Sequence, residues 1–352
     1  MTEHKSRSRN SKLDFLRISF ATLVLLAHAP ELTDGNNSRE ILSRLTHSQI
    51  SFGVLGVDGF FLLSGYLIVK SWIQNPEFLN FILKRILRIV PGYLVAVFLS
   101  ISIVGLLAPG VPHFFSSYGL RSLKSILLLS TPSTPPVFPG LRFQEVNNSL
   151  WTIAYEFRCY LIVAAFGVLG LLRRRLIWLL STVLFLSAFI VDGFVIFKHF
   201  SPSLEALIGE PTHICRLSAA FFVGGCFYIF REQIKFRPMF AIAVAVALIL
   251  GAINPKTFEP GLVLFGGYLM FYFAQLPSKS AARSWHFPDI SYGIYLYGWP
   301  VESLWIWYSH GSPWVTFLAS TVICCGLGWL SWHLVERPML RLKRKSSVAL
   351  PE

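Results

Sequence analysis

Ten apolar runs follow one another along this chain, most of them joined by short polar connections. They are Leu13–Pro30, Phe52–Trp72, Ile89–Ala108, Leu150–Leu172, Leu176–Phe197, His213–Phe230, Phe236–Asn254, Pro260–Leu276, Ile290–Ser309 and Pro313–Val335. A bilayer core about 30 Å thick takes about 20 apolar residues in helical form, and backbone groups inside it must be paired within the protein. The expected fold is therefore an all-α polytopic membrane protein with about ten transmembrane helices. With 54% hydrophobic and 14% charged residues over 352, almost nothing is left for a soluble domain. The expected division is a basic tail over 1–12, a transmembrane domain over 13–338 and a second tail over 339–352.

The formal net charge of +13 raises the question of nucleic acid. The cations do not form one face; they follow the connections between runs. Twenty-one Lys and Arg lie on the side that holds the amino terminus, 7 lie on the opposite side, and Arg17, Arg158 and Arg216 fall inside runs. That alternation places both termini in the cytoplasm, makes the chain a multi-pass protein of the plasma (inner) membrane, and argues against a nucleic-acid partner. Ala27-His28-Ala29 also resembles a signal-peptide cleavage site, but nine further runs in good alternation favour a retained first helix. The five cysteines sit in apolar runs without metal-ligand spacing and read as small buried hydrophobes, with no metal site. One connection is long, Pro109 to Ser149. Its short apolar piece, Leu123 to Leu129, cannot span and either lies at the interface or re-enters, so the loop is a substrate mouth or a plain connector.

Ionisable residues inside spans are costly in hydrocarbon and are functional candidates by default. Six of them, His28, Asp58, Glu156, Arg158, Arg216 and Glu302, fall by helical rise in the same third of the membrane, away from the amino-terminal side. They are expected to converge on a polar cavity, the alternative being structural ion pairs. His28 alone has an unperturbed pKa suited to proton transfer near neutrality, with Asp58 or Glu156 as the carboxylate that orients its ring. On the same first run, Arg17 precedes His28 by eleven residues, roughly 16 Å of helix. Together with Lys84, Arg85 and Arg88, it makes four cations at the cytoplasmic level, an anion site or a set of headgroup contacts.

These residues also form a signature. Leu13-Asp14-Phe15-Leu16-Arg17 leading to His28 resembles the first-helix pattern of the acyltransferase-3 membrane proteins, a basic residue, ten positions and a histidine. Gly56-Val57-Asp58-Gly59-Phe60-Phe61-Leu62-Leu63-Ser64-Gly65 is similar to the second-helix block, and Arg85-Ile86-Leu87-Arg88 with Pro91 and Tyr93 to the paired-arginine motif. Asn148-Ser149-Leu150-Trp151-Thr152-Ile153-Ala154-Tyr155-Glu156 and Trp332-His333-Leu334-Val335-Glu336-Arg337-Pro338 match the Trp-and-Glu and closing motifs in the same order. In the penultimate-helix block this chain has Gly298 where many members have histidine, so His28 acts without a second histidine there.

The resemblance implies an O-acyltransferase that moves an acyl group, most often acetyl, from cytoplasmic acetyl-CoA to a hydroxyl of an extracytoplasmic or lipid-linked glycan. By that reading His28, Asp58 and Glu156 are catalytic, while Arg17, Lys84, Arg85 and Arg88 hold the CoA phosphates. Arg158, Arg216, Trp151, Asn148 and Glu302 contact the acceptor. Membrane lipid is a further partner, and the transfer is either direct or through an acyl-enzyme. The rival reading is a transporter or flippase of a lipid-linked glycan, since transporters also build polar cavities at mid-membrane.

Overall fold

A computed structural model describes residues 11–107, 118–191, 205, 207–252, 255–277 and 288–346; most of the first tail and the end of the second lie outside the described residues. The described chain is helical throughout its ordered elements. Helix α1 covers Ser11–Asp34, the short α2 Ile41–Leu45, α3 Phe52–Gln74 and α4 Phe78–Leu107. Then come α5 (Gly119–Leu127), α6 (Trp151–Val168), α7 (Arg175–Ile190), α8 (Pro211–Ile229) and α9 (Pro238–Gly251). Helix α10 (Pro255–Gly261) passes through a π turn at Leu262–Gly266 into α11 (Gly267–Gln275), and α12 covers Ser291–Ser309. A second π turn, Trp332–Glu336, joins α13 (Pro313–Ser331) to α14 (Arg337–Ser346).

Six helical segments are long and apolar enough to cross a membrane, and α7 and α9 are shorter apolar helices. The outer surface agrees. On α9 only Ala241 is buried, while Met239, Ile242, Val246, Ile249 and Leu250 point outward. Large apolar side chains of α4, α7 and α13 do the same. So much contiguous apolar surface is incompatible with water and suits acyl chains. This is a polytopic membrane protein.

The bundle is held together by close backbone approach, because lipid supplies no hydrophobic drive between helices and packing must replace it. Helix α3 lies at the centre, along α1 on one side and α8 on the other. A Cβ on Gly65 would stand 1.9 Å from the Phe221 carbonyl oxygen, and one on Gly224 would stand 2.0 Å from that of Leu62. Polar ends are capped: the Ser51 hydroxyl accepts from the Val54 N–H at the start of α3, and the buried Glu40 accepts from Ser43 and Phe52 N–H groups. Pro30 and Pro300 interrupt α1 and α12 two residues from His28 and Glu302 respectively. Each leaves a carbonyl of its helix without the usual partner.

The connection before α6 does not stay at the end of the bundle. The Tyr93 hydroxyl donates to the Ser130 carbonyl at 2.6 Å, fourteen residues and roughly 21 Å before the end of α4. Asn147 Nδ2 donates to the Leu296 carbonyl at 3.0 Å, and Trp299 Nε1 to the Glu145 carbonyl at 3.1 Å. Residues 130–147 thus re-enter the bundle, with their polar backbone paired to helices instead of lipid. Helix α6 consequently starts deep, after a buried 3-10 turn at Asn148–Leu150.

Candidate active site

Depth within the bundle sorts the ionisable residues into separate neighbourhoods. At the Arg17 end a cavity of about 170 Å³ opens between α1, α3, α4, α6 and α12. Arg17, Arg85 and Arg88 line it. Arg17 Nη1 and Arg88 Nη2 both reach Asp289 Oδ2, at 3.0 and 2.6 Å, and Arg88 Nη1 lies 3.4 Å from Glu336 Oε2. Arg85 differs. Its Nη2 donates to the Ser71 hydroxyl at 3.0 Å and its guanidinium lies over the Phe81 and Tyr160 rings, and among the described residues no carboxylate pairs with it. Its Nε is buried without a partner. Lys84 does not line the cavity.

Glu156 belongs to this same cavity. Its Oε1 accepts from the Ser64 hydroxyl at 2.6 Å and from the Tyr160 hydroxyl. A buried hydrogen bond of 2.6 Å between the Thr152 and Tyr295 hydroxyls, with the Phe60 ring beside Tyr295, also lines the cavity. Counting from the start of the fourth run puts Glu156 at the level of His28 only if α6 starts at the membrane surface. The re-entrant segment lowers that start, and the side chain lands among the arginines.

His28 lies in a second neighbourhood further along α1. Its Nδ1 lies 3.5 Å from Glu302 Oε2, and the two side chains are 14% and 0% exposed. That distance permits an ion pair but is long for a formed hydrogen bond. Trp299 packs edge-on against the imidazole at 5.0 Å between centroids, and Phe143 packs on Trp299 from the re-entrant segment. Glu302, expected among the acceptor contacts, is thus the carboxylate at His28, and Asp58 and Glu156 have other partners. Gly298 explains the missing second histidine in space: a Cβ there would come within 2.8 Å of Leu25 Cδ1.

Asp58 forms a third group with Arg216 and Glu259. Arg216 donates to Asp58 Oδ1 at 3.0 Å and to the Val54 carbonyl at 3.3 Å, and its Nε lies 3.0 Å from Glu259 Oε1. One cation between two carboxylates ties α3, α8 and α10 together, and it accounts for Arg216 without an acceptor. The remaining residues, Asn148, Trp151 and Arg158, line an open pocket of about 660 Å³ on another face of α6. Six groups expected at one depth therefore divide among four places.

Asp289, Glu336, Ser64 and Tyr160 were not foreseen. Glu336 and Ser64 stand inside two of the motifs above, and Glu336 ends a π turn, a distortion frequent at functional sites. Asp289 precedes α12 and reads in sequence as an ordinary connection acid.

The helical bundle thus keeps an arginine-lined cavity at one level and a buried histidine–carboxylate pair at another. The family model described as Acyltransferase domain matches residues 10–333, and the chain belongs to that acyltransferase-3 family. It is 26% identical over 299 residues to an O-acetyl transferase of Shigella phage Sf6, covering 82% of this chain and 86% of the relative. It is 26% identical to nodulation protein 10 of Rhizobium leguminosarum bv. viciae, over 99% of both. A Bacillus subtilis (strain 168) protein, YrhL, provisionally named a peptidoglycan O-acetyltransferase, is 24% identical over 87% of this chain and 54% of its own length. No solved structure matches. The chain is an enzyme of the O-acetyltransferase class.

Proposed function

We propose that this enzyme acetylates a hydroxyl of a glycan outside the cytoplasm, using acetyl-CoA from inside. The observation that carries the reading is that one helix, α1, places Arg17 in an arginine-lined cavity and His28, eleven residues on, against Glu302. In this reading the chain crosses the plasma membrane ten times with both termini cytoplasmic, and the Arg17 end faces the cytoplasm. The glycan acceptor is supported by YrhL, whose name gives peptidoglycan.

The CoA phosphates dock near Arg85, which makes no ion pair with a carboxylate among the described residues, with Arg17 and Arg88 held in place by Asp289 and Glu336. The pantetheine arm runs up the cavity past Glu156, Ser64 and Tyr160, whose hydroxyl and carboxylate groups suit its amides. It displaces the Thr152–Tyr295 contact to bring the thioester beside His28. Glu302 faces Nδ1, which leaves Nε2 for the acceptor. Nε2 takes the hydroxyl proton while the oxygen attacks the thioester carbonyl; the C–S bond then breaks and the proton passes to the CoA sulfur. Transfer is direct, with no acyl-enzyme.

Mass spectrometry of surface glycans from the source strain and its deletion strain tests the function. Loss of an acetyl-sized mass from an otherwise intact glycan is expected. Loss of the whole glycan points to a flippase and overturns the reading.

A further inference from the structure

Helices α12 and α13 run antiparallel, and two contacts set their register. A Cβ on Gly293 would stand 2.6 Å from the Gly328 Cα. In the connection between the helices, the position a Cβ would take on Gly311 lies 3.5 Å from Trp305 Nε1 and 3.9 Å from Thr316 Oγ1. Gly293 therefore faces Gly328 and Trp305 faces Thr316, which sets Glu302 and Ser303 at the levels between Thr316 and Ser320. Thr316, Ser320, Cys324 and Gly328 follow one another at intervals of four, so they share the face of α13 that looks onto α12.

This interface is polar where a membrane bundle ordinarily places apolar or small side chains. Glu302, Ser303, Thr316 and Ser320 are wholly buried. Among the described residues, the hydroxyls of Ser303, Thr316 and Ser320 and the Trp305 Nε1 have no hydrogen-bond partner, and neither do the two Glu302 carboxyl oxygens, one of which stands 3.5 Å from His28 Nδ1. Helical hydroxyls elsewhere in the bundle turn back on their own helix: those of Thr22, Ser100 and Thr182 each donate to the carbonyl four residues earlier. The three at this interface leave that local bond unmade. Buried polar groups without a protein partner are costly unless water satisfies them. Hydroxyls four residues apart on a helix are about 6 Å from each other, a gap that one water spans with two ordinary hydrogen bonds.

We propose that a file of buried water runs between α12 and α13, from Trp305 and Thr316 at the Gly311 end to Glu302, and is the path by which the Glu302–His28 pair exchanges protons with the solution at that end. Ionisable groups within membranes relay protons through polar chains of this kind. The exchange balances: the Glu302 carboxyl gives its proton to the nearest water, each oxygen along the file accepts one proton and passes one on, and one proton emerges beside Gly311. The reverse passage reloads the carboxyl. Among the described residues, the titratable groups within electrostatic reach of Glu302 are His28 and Glu31 of α1 and Cys324 of α13. The charge of the pair thus follows the solution beyond the end of α12, opposite to the end where Ser291 lines the arginine cavity. The file itself rests on the packing of α12 and α13; its consequence for catalysis rests on the acyl-transfer reading.

Infrared spectroscopy of the full-length protein in lipid vesicles follows the proton directly. Subtracting the spectrum of Glu302→Gln isolates the Glu302 carboxyl band, whose frequency falls when deuterium replaces the proton. After transfer to D2O the band is expected to shift promptly in the wild type and about tenfold or more slowly in Thr316→Val, which keeps the volume and removes the hydroxyl. Thr316→Ser, which restores the hydroxyl, should return the wild-type rate. Ser320→Val breaks the file at a second point and carries the test if Thr316→Val does not fold. Equal exchange rates in the wild type and the valine variants, a Glu302 band that does not shift, or no carboxyl band that depends on Glu302 would each overturn the file. Because no substrate enters the measurement, its outcome is separate from that of the glycan mass spectrometry. A glycan that never carries acetyl removes the transfer reading and leaves the file standing; equal exchange rates do the reverse.

Discussion

At the residue scale, pairing decides what each arginine can do. Arg85 has no carboxylate partner among the described residues, so Arg85→Gln should weaken CoA binding by tenfold or more while the protein keeps its unfolding temperature, read by calorimetry and thermal scanning in detergent. An unchanged affinity would place the phosphates elsewhere. Arg88→Ala should behave differently. It leaves Glu336 without a cation and Asp289 with Arg17 alone, a loss of up to roughly 3–5 kcal/mol for a broken buried pair, and a lowered unfolding temperature is expected even without ligand. At His28, Glu302→Gln keeps the shape and replaces the carboxyl that faces Nδ1 with an amide. It should cut turnover up to about 10²-fold with acyl-CoA affinity intact. Full activity in that variant would make Glu302 a structural residue. Sequence named Arg17, His28 and Glu302 because charge inside an apolar run stands out, and Arg85 and Arg88 because they cluster just before the third run. It did not pair them, since Arg17 and Asp289 are 272 positions apart.

At the element scale, helices were legible and their depths were not. Each of the ten apolar runs contains a described helix, and α10–α11 and α13–α14 continue through π turns that apolar periodicity does not reveal. Counting helical turns from the ends of the runs puts His28 and Glu302 at one level, and α1 and α12 bring them together. It fails for α6, because hydrogen bonds from Tyr93, Asn147 and Trp299 draw residues 130–147 inward, and those contacts join segments up to 154 positions apart. That one displacement moved Glu156 from the level of His28 to the arginine cavity. Helix packing yields a test of its own. Gly224→Ala puts a Cβ 2.0 Å from a backbone carbonyl of α3, where no side chain can move aside. The helices must separate, costing about 1–3 kcal/mol or more, so thermal scanning should show a clearly lowered midpoint. A wild-type midpoint would mean that α3 and α8 approach less closely than described.

At the scale of the whole molecule, the account joins a donor on one face of a membrane to an acceptor on the other through a single helix. Composition made the membrane legible. The separation of the arginines from His28 was not, because only the folded bundle shows Arg17 and Arg88 meeting at Asp289 and His28 meeting Glu302. The most direct measurement uses vesicles from the deletion strain complemented with wild-type or His28→Ala protein, supplied with acetyl-CoA labelled in the acetyl group. Inside-out vesicles, which expose the Arg17 end, should pass label into glycan, and sealed right-side-out vesicles should not. His28→Ala should lose about 10²–10⁴-fold of that rate while still binding CoA. Label entering glycan equally from either face, or undiminished in His28→Ala, would contradict the account.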